Sequence, residues 1–241
     1  MNTDINSIKE PFDQIKLCVF DMAGTTVNEE NLVYKTVRDA INQALSYDDK
    51  KVDLALCLAF GAGKEKRQAI NDILNELDIA EADIASLTDT AFKIFKTSLA
   101  KAYTADTLGT FEGMLTLFAQ LKASDRKVVL NTGYDSKTAN NILTILGWSV
   151  GNEIDALITA DDVTNGRPAP DMITLAMDQF GIEDPKHVLK AGDSGIDIEE
   201  GKNANCGLCV GVLSGAQTKA QLEKYAPDII LETLTDLAKL I

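Results

Sequence analysis

The chain has 241 residues, 45% of them apolar and 25% charged, enough for one large globular domain or a domain with a smaller insert. Its 37 acids outnumber its 23 bases and leave a net charge of −14, which argues against general nucleic-acid or anionic-membrane binding, since both require basic patches. No apolar run reaches the length of a membrane span, and Met1 to Ser7 lack the basic and apolar regions of a secretory leader, so a cytoplasmic protein is expected.

In chain order, Ile15 to Phe20 predict a short strand, apolar enough to be buried on both faces of a parallel sheet. Asp21 follows at the strand's C-terminal end, where open α/β sheets bind ligands. Gly24 supplies a tight turn, and the Thr25 and Thr26 hydroxyls can serve a ligand or the backbone. A carboxylate fixed there can attack an electrophile or hold a hard cation; the plain alternative is a strand and turn without chemistry.

From about Glu30 to Thr104 the spacing is helical, with no convincing strand. Leu32, Val33, Thr36, Val37, Ala40, Ile41 and Ala44 mark one helix. Val52 to Leu58 predict a second, broken at Phe60-Gly61-Ala62-Gly63; Lys64 to Leu77 predict a third and Asp83 to Tyr103 a fourth. Strands and helices then alternate. Strands are expected at 127–131, 156–159, 188–191, 207–212 and 228–231, and helices at 114–123, at 136–146, from the turn-rich loop 166–171 to Phe180, and at 197–205, with Asp135 or Ser136 capping the second of these. Such alternation implies a parallel sheet, hence an α/β fold.

Each of these strands brings a polar group to one edge: Asp21, Thr132, then Asp193 with Asp197, while Arg167 arrives from the loop Gly166-Arg167-Pro168. Two or three acids suit Mg²⁺, and a hydroxyl, backbone N–H groups and a guanidinium suit phosphoryl oxygens. Phosphoryl transfer asks for that combination. The cysteines are Cys18, Cys57, Cys206 and Cys209. Cys206-Gly-Leu-Cys209 has the spacing of a metal or redox pair, but with His187 the only histidine a zinc site lacks ligands, and buried thiols are expected.

These motifs resemble the haloacid dehalogenase superfamily of hydrolases at Asp21 to Val27, Thr132-Gly133, Gly166 to Pro168 and Gly192-Asp193 to Asp197. The resemblance implies a Rossmann-like core over 1–29 and 106–241 with a helical C1-type cap over 30–105. It implies Asp21 as the nucleophile of a phosphoaspartyl intermediate. It also implies Mg²⁺ on Asp21, Asp193, the carbonyl of Ala23 and, through the second shell or a water, Asp197, with phosphate on Thr132 and Arg167. Thr25, Gly61, Gly133, Tyr134 and Arg67 would complete the substrate site.

Most phosphatases of that superfamily carry an acid at position 23; Ala23 instead is similar to the phosphonatase (phosphonoacetaldehyde hydrolase) subfamily. There a cap lysine forms a Schiff base, and Phe60-Gly61-Ala62-Gly63-Lys64 places Lys64 at the matching spacing. Lys66 and Arg67 lie close enough in sequence to favour its neutral amine. The plain alternative for Lys64 is a solvated lysine in the first turn of a helix. Met22, Asn31 and Arg67 depart from the subfamily, which has tryptophan, cysteine and histidine there, whereas Tyr134 matches. The expected reaction is hydrolysis of a carbonyl phosphonate, with a phosphatase acting on a small ester or anhydride, of phosphoglycolate-phosphatase type, as the alternative, and a non-catalytic metabolite sensor as a third. Leu54, Leu56 and Leu58 are a candidate face for a homodimer through the cap, or equally bundle core.

Overall fold

The computed structural model describes residues 4–45 and 51–241. Of the segment weighed as a leader, residues 1–3 lie outside the described residues. A short helix α1 (Lys9–Asp13) leads into β1 (Leu17–Asp21). A ribbon strand β2 (Val27–Asn28) precedes four helices, α2 (Leu32–Leu45), α3 (Leu54–Gly61), α4 (Lys66–Asn75) and α5 (Glu81–Ala102), and its partner β3 (Gly109–Thr110) follows them. Then come α6 (Met114–Ala123), β4 (Lys127–Asn131), α7 (Ser136–Leu146), β5 (Ala156–Ile158), α8 (Asp171–Phe180), β6 (Val188–Gly192), α9 (Gly195–Asn203), β7 (Leu208–Val212), α10 (Lys219–Leu222) and β8 (Ile229–Leu231).

The six long strands form a sheet in the order β5-β4-β1-β6-β7-β8, parallel at every pairing. Leu17 to Asp21 are all buried, as a strand covered by helices on both faces must be. The chain builds outward from β1 through β4 to β5, then crosses to β6 and builds the other way. The C-terminal end of β1 therefore lies at the reversal of strand order, where such sheets open a crevice. On one face Phe20 stacks on Phe118 at 6.2 Å, and Phe118 meets Trp148 edge-on at 5.4 Å. Truncating Phe118, which is 1% exposed, would cost roughly 3–5 kcal/mol.

The helical insert forms where the periodicity places it, because α5 lays its buried stripe, Ile84, Thr88, Ala91, Phe95 and Leu99, along α2 and α4. Helix bounds move by two or three residues. Asp53 caps α3, accepting from Leu56 N at 2.8 Å, and Glu65 caps α4 through the Arg67 and Gln68 amides. Asp135, rather than Ser136, caps α7, accepting from Thr138 N at 2.7 Å. The β2–β3 ribbon carries no sequence pattern, being two residues a side. It ties together the two passages between sheet and insert, helped by Thr110 Oγ1 donating to Thr26 O at 2.9 Å. All four cysteines are free and buried.

Candidate active site

Asp21 ends β1 and is 6% exposed. The chain turns immediately after it: the amides of Thr25, Thr26 and Val27 all donate to Met22 O, and Thr26 Oγ1 donates to Asp21 O at 2.9 Å. Gly24 takes φ +83°, and a Cβ there would lie 2.4 Å from Asp193 Oδ2, so glycine is required both by the backbone and by the acid packed against it. Thr25 is fully buried, and its hydroxyl oxygen has no hydrogen-bond partner, a group left free for a ligand.

The acids of β1, β6 and α9 converge. Asp21, Asp193 and Asp197 are buried and each offers an oxygen within 4.8 Å of the others. Asp193 Oδ2 accepts from Ala216 N at 2.5 Å, and Ser194 Oγ donates to Asp197 Oδ2 at 2.5 Å. Burial raises Asp193 well above the usual carboxylate range, and the negative charges of Asp21 and Asp197 push the same way. Burial also raises Asp21, against the pull of Arg167. Burial alone would raise Asp197 too, but Arg167 and Lys190 together outweigh it and hold Asp197 low.

Beneath these acids lies a charged cluster. Arg167 Nη1 donates to Asp21 Oδ1 at 2.6 Å and lies 3.0 Å from Asp197 Oδ1, while Nη2 donates to Asn131 O and Oδ1 at 2.8 and 2.6 Å. Lys190, fully buried in β6, donates to Asn131 Oδ1 at 2.7 Å and lies 3.0 Å from both Asp197 Oδ1 and Glu200 Oε2. Glu200 accepts from Asn131 Nδ2 at 2.9 Å and sits 3.0 Å from Arg167 Nε. The buried acids Asp21, Asp193, Asp197 and Glu200 thus outnumber the buried cations Arg167 and Lys190. Asp197 Oδ1 has no aligned donor despite its two cationic neighbours. Hard oxygen donors and an excess of buried acids over buried cations fit a divalent cation such as Mg²⁺.

The insert faces this site through α2 and the α3–α4 turn. A Cβ on Gly133, next to Thr132 at the end of β4, would lie 2.8 Å from Lys64 O, so the insert's backbone rests directly on that glycine. Tyr34 of α2 accepts from Gly63 N at 3.2 Å. Thr132 is buried, and its hydroxyl accepts from Tyr134 N at 3.2 Å. Tyr134 OH bonds Tyr103 OH at 2.7 Å, and Tyr103 OH also donates to Glu29 Oε2 at 3.2 Å. Burial pushes Glu29 up to about 7, against its bonds from Val33 N and Tyr103.

Of the expected site residues, the fold brings Asp21, Thr25, Thr132, Gly133, Arg167, Asp193 and Asp197 to one crevice, with Ala23 in the turn beside Asp21. Three others turn away from that crevice in this structure. Lys64 turns its ammonium to Asp72 Oδ2 at 2.5 Å, with its side chain 26% exposed, because an α4 carboxylate lies within reach of it. Arg67 pairs with Asp89 at 2.5 Å, with its side chain 52% exposed, so it lies on the surface of the insert. Gly61 packs inside the insert, where a Cβ would meet Ala69 Cβ at 3.4 Å and Ile73 Cδ1 at 3.5 Å.

The amine that is buried instead is Lys66, 7% exposed. Its Nζ lies 5.4 Å from the Tyr134 ring centroid and 5.6 Å from that of Tyr34, and it donates to Lys64 O at 2.6 Å. Burial lowers its affinity for a proton, opposed first by the charge of Asp21. The residue reading also missed Lys190, Glu200 and Asn131. Lys190 did carry a signal, a charge inside an otherwise apolar strand, and Glu200 lies three residues after Asp197 on one helical face.

The family model for haloacid dehalogenase-like hydrolase matches residues 15–205. The chain is 29% identical over 214 residues to the phosphonoacetaldehyde hydrolase of Latilactobacillus sakei, covering 84% of this chain and 77% of that protein. It is 22% identical over 228 residues to pyrophosphatase PpaX of Bacillus mycoides, covering 95% and 97%. Its fold is similar to the crystal structure of a phosphonoacetaldehyde hydrolase-like protein from Oleispira antarctica, with TM-score 0.74 and 21% identity over 94% of this chain and 91% of that one.

Proposed function

We propose, for a chain that belongs to the haloacid dehalogenase-like hydrolases, hydrolysis of the C–P bond of phosphonoacetaldehyde or a related carbonyl phosphonate. The observation that carries the reading is Ala23. Two residues after the nucleophile, where most phosphatases of the family carry an acid, Ala23 has only a methyl group and cannot transfer a proton. A carbon leaving group needs an electron acceptor instead, and an amine condensed with the substrate's carbonyl provides one.

In this reading the Asp21 carboxylate attacks phosphorus. The Arg167 guanidinium, already 2.6 Å from Asp21, takes phosphoryl oxygens together with the hydroxyls of Thr132 and Thr25. Asp21, Asp193 and the Ala23 carbonyl would hold Mg²⁺, with Asp197 behind them; bound there, the ion supplies neutralisation of phosphoryl charge. Lys190, Glu200 and Asn131 keep the guanidinium in place. The insert acts as the cap, excluding water and bringing its lysines over Asp21.

The similarity to a pyrophosphatase supports a second reading, in which the substrate is a phosphate ester or anhydride with a good leaving group that tolerates Ala23. Release of acetaldehyde and phosphate from phosphonoacetaldehyde with Mg²⁺ tests the first reading against the second. Turnover of pyrophosphate or of activated phosphate esters alone, made faster on alkyl esters by Ala23→Asp, would establish the second.

A further inference from the structure

Resting on the C–P reading above, we infer that Lys66, and not Lys64, is the amine that captures the substrate's carbonyl group. Two lysines stand two residues apart at the start of α4, and the fold gives them opposite environments. The Lys64 nitrogen is committed to Asp72 on a partly exposed side of the insert. The Lys66 nitrogen is enclosed: among the described residues no carboxylate pairs with it, and it lies between the rings of Tyr34 and Tyr134. Its hydrogen bond to Lys64 O needs only one N–H, so a neutral amine keeps that bond and still presents a lone pair.

Placement agrees with chemistry. Apart from burial, the strongest influence on Lys66 is the Asp21 carboxylate, followed by Arg167, ahead of its own neighbour Glu65. Tyr34 in turn feels Asp193 and Asp21. The turn that carries Lys66 rests on the site itself, since a Cβ on Gly63 would lie 2.4 Å from Ser194 Oγ and one on Gly133 would lie 2.8 Å from Lys64 O. Two aromatic faces favour a cation over a neutral group, which suits the iminium that forms there.

The step balances without an external oxidant or reductant. The Lys66 nitrogen adds to the carbonyl carbon, and the carbinolamine takes a proton and loses water to give the iminium. The C–P bond then breaks, its electron pair forming the enamine C=C while the C=N electrons return to nitrogen, and the phosphoryl group passes to an Asp21 oxygen. The enamine carbon takes a proton, and water hydrolyses the resulting iminium to the aldehyde and free Lys66. A second water splits the acyl phosphate to phosphate and the Asp21 carboxylate. The substrate class follows: an aldehyde or ketone whose phosphonate lies on the carbon next to the carbonyl.

The test is to trap the full-length wild-type chain with Mg²⁺ and phosphonoacetaldehyde by borohydride and locate the secondary amine by fragment mass spectrometry. The expected result is an adduct on Lys66, turnover lost by roughly 10³-fold in Lys66→Arg, and labelling retained in Lys64→Arg. Phosphate release with an adduct on Lys64, or with no lysine adduct, overturns the assignment to Lys66. An adduct on Lys64 would leave C–P hydrolysis by a cap amine standing. No phosphate release and no adduct overturns the C–P reading itself. The wild-type map needs no variant to fold, so a Lys66→Arg chain that misfolds leaves the answer intact.

Discussion

Two buried polar regions meet at Asp21, and they handle charge in opposite ways. Below it, Arg167 and Lys190 are hemmed in by Asp197, Glu200 and Asn131, so charged groups are met by opposite charges or hydrogen bonds at close range. Above it, Lys66 and Glu29 are just as buried but are bounded by Tyr34, Tyr103 and Tyr134, which offer ring faces and hydroxyls in place of counter-ions. The lower region holds Asp197 ionised and Arg167 protonated, as holding a phosphoryl group requires. The upper region leaves protonation easy to change, as an amine that must lose and regain a proton requires. The comparison is broken or sharpened by variants taken from each side.

The largest effect is expected at the junction. Asp21→Asn removes the proposed nucleophile while keeping an acceptor for Arg167, and should lower phosphate release by at least roughly 10³-fold. Single-turnover assays check this. Turnover within tenfold of wild type would mean that Asp21 only orders the cluster.

On the lower side, Glu200→Ala leaves Lys190 and Arg167 buried without one of their shared counter-charges. Breaking such a buried network costs about 3–5 kcal/mol, read as a fall in the urea midpoint with an unchanged slope. Replacing the pair together, Lys190→Met with Glu200→Leu, should cost much less, since the penalty arises from the charge left alone. Equal losses in the two chains would show that the cluster is packed by shape and not by charge.

How much of this was legible in the sequence follows the same division. Strands and helices with a dense apolar code, such as 127–131 and 188–192, could be read almost to the residue. So could Asp21, Thr132, Arg167, Asp193 and Asp197, because each sits at a strand end, in a turn-rich loop or, for Asp197, in the first turn of the helix after a strand, positions that the topology fixes. The direction of Lys64, Lys66 and Arg67 could not be read. All three lie within four residues at the start of one helix, where the local turn decides which faces the core, and Asp72 and Asp89, supplied by α4 and by the distant α5, pair with two of them. Tyr34 and Tyr103 look like ordinary members of apolar stripes, and only packing shows their hydroxyls meeting Gly63 and Tyr134.

On the upper side, Glu29 gives a pH signature. It ionises at about 4.5 when unfolded and, through burial, at about 7 when folded, so the folded chain holds the extra proton between those values. The stability contributed is fully present below pH 4.5 and is lost as pH rises through 7, by on the order of 3 kcal/mol. Glu29→Gln keeps the shape and one acceptor but cannot ionise. Relative to wild type it should therefore gain roughly 2–3 kcal/mol between pH 5 and pH 8 in urea unfolding. A difference that does not change with pH would place the Glu29 carboxylate in a wetter setting than the Tyr103 contact implies.

The smallest effect separates the insert's outer face from both regions. Arg67 and Asp89 form an ion pair with side chains 52% and 67% exposed, and such pairs contribute little because water already solvates each partner. Arg67→Ala should move the unfolding midpoint by less than about 0.5 kcal/mol equivalent and leave KM unchanged, since the guanidinium is paired with Asp89 on the exposed face of the insert. A rise in KM of tenfold or more would mean that Arg67 swings inward when substrate binds. The aromatic enclosure would then gain a permanent cation beside Lys66, and the contrast between a charge-paired floor and a charge-poor roof would hold only for the empty site.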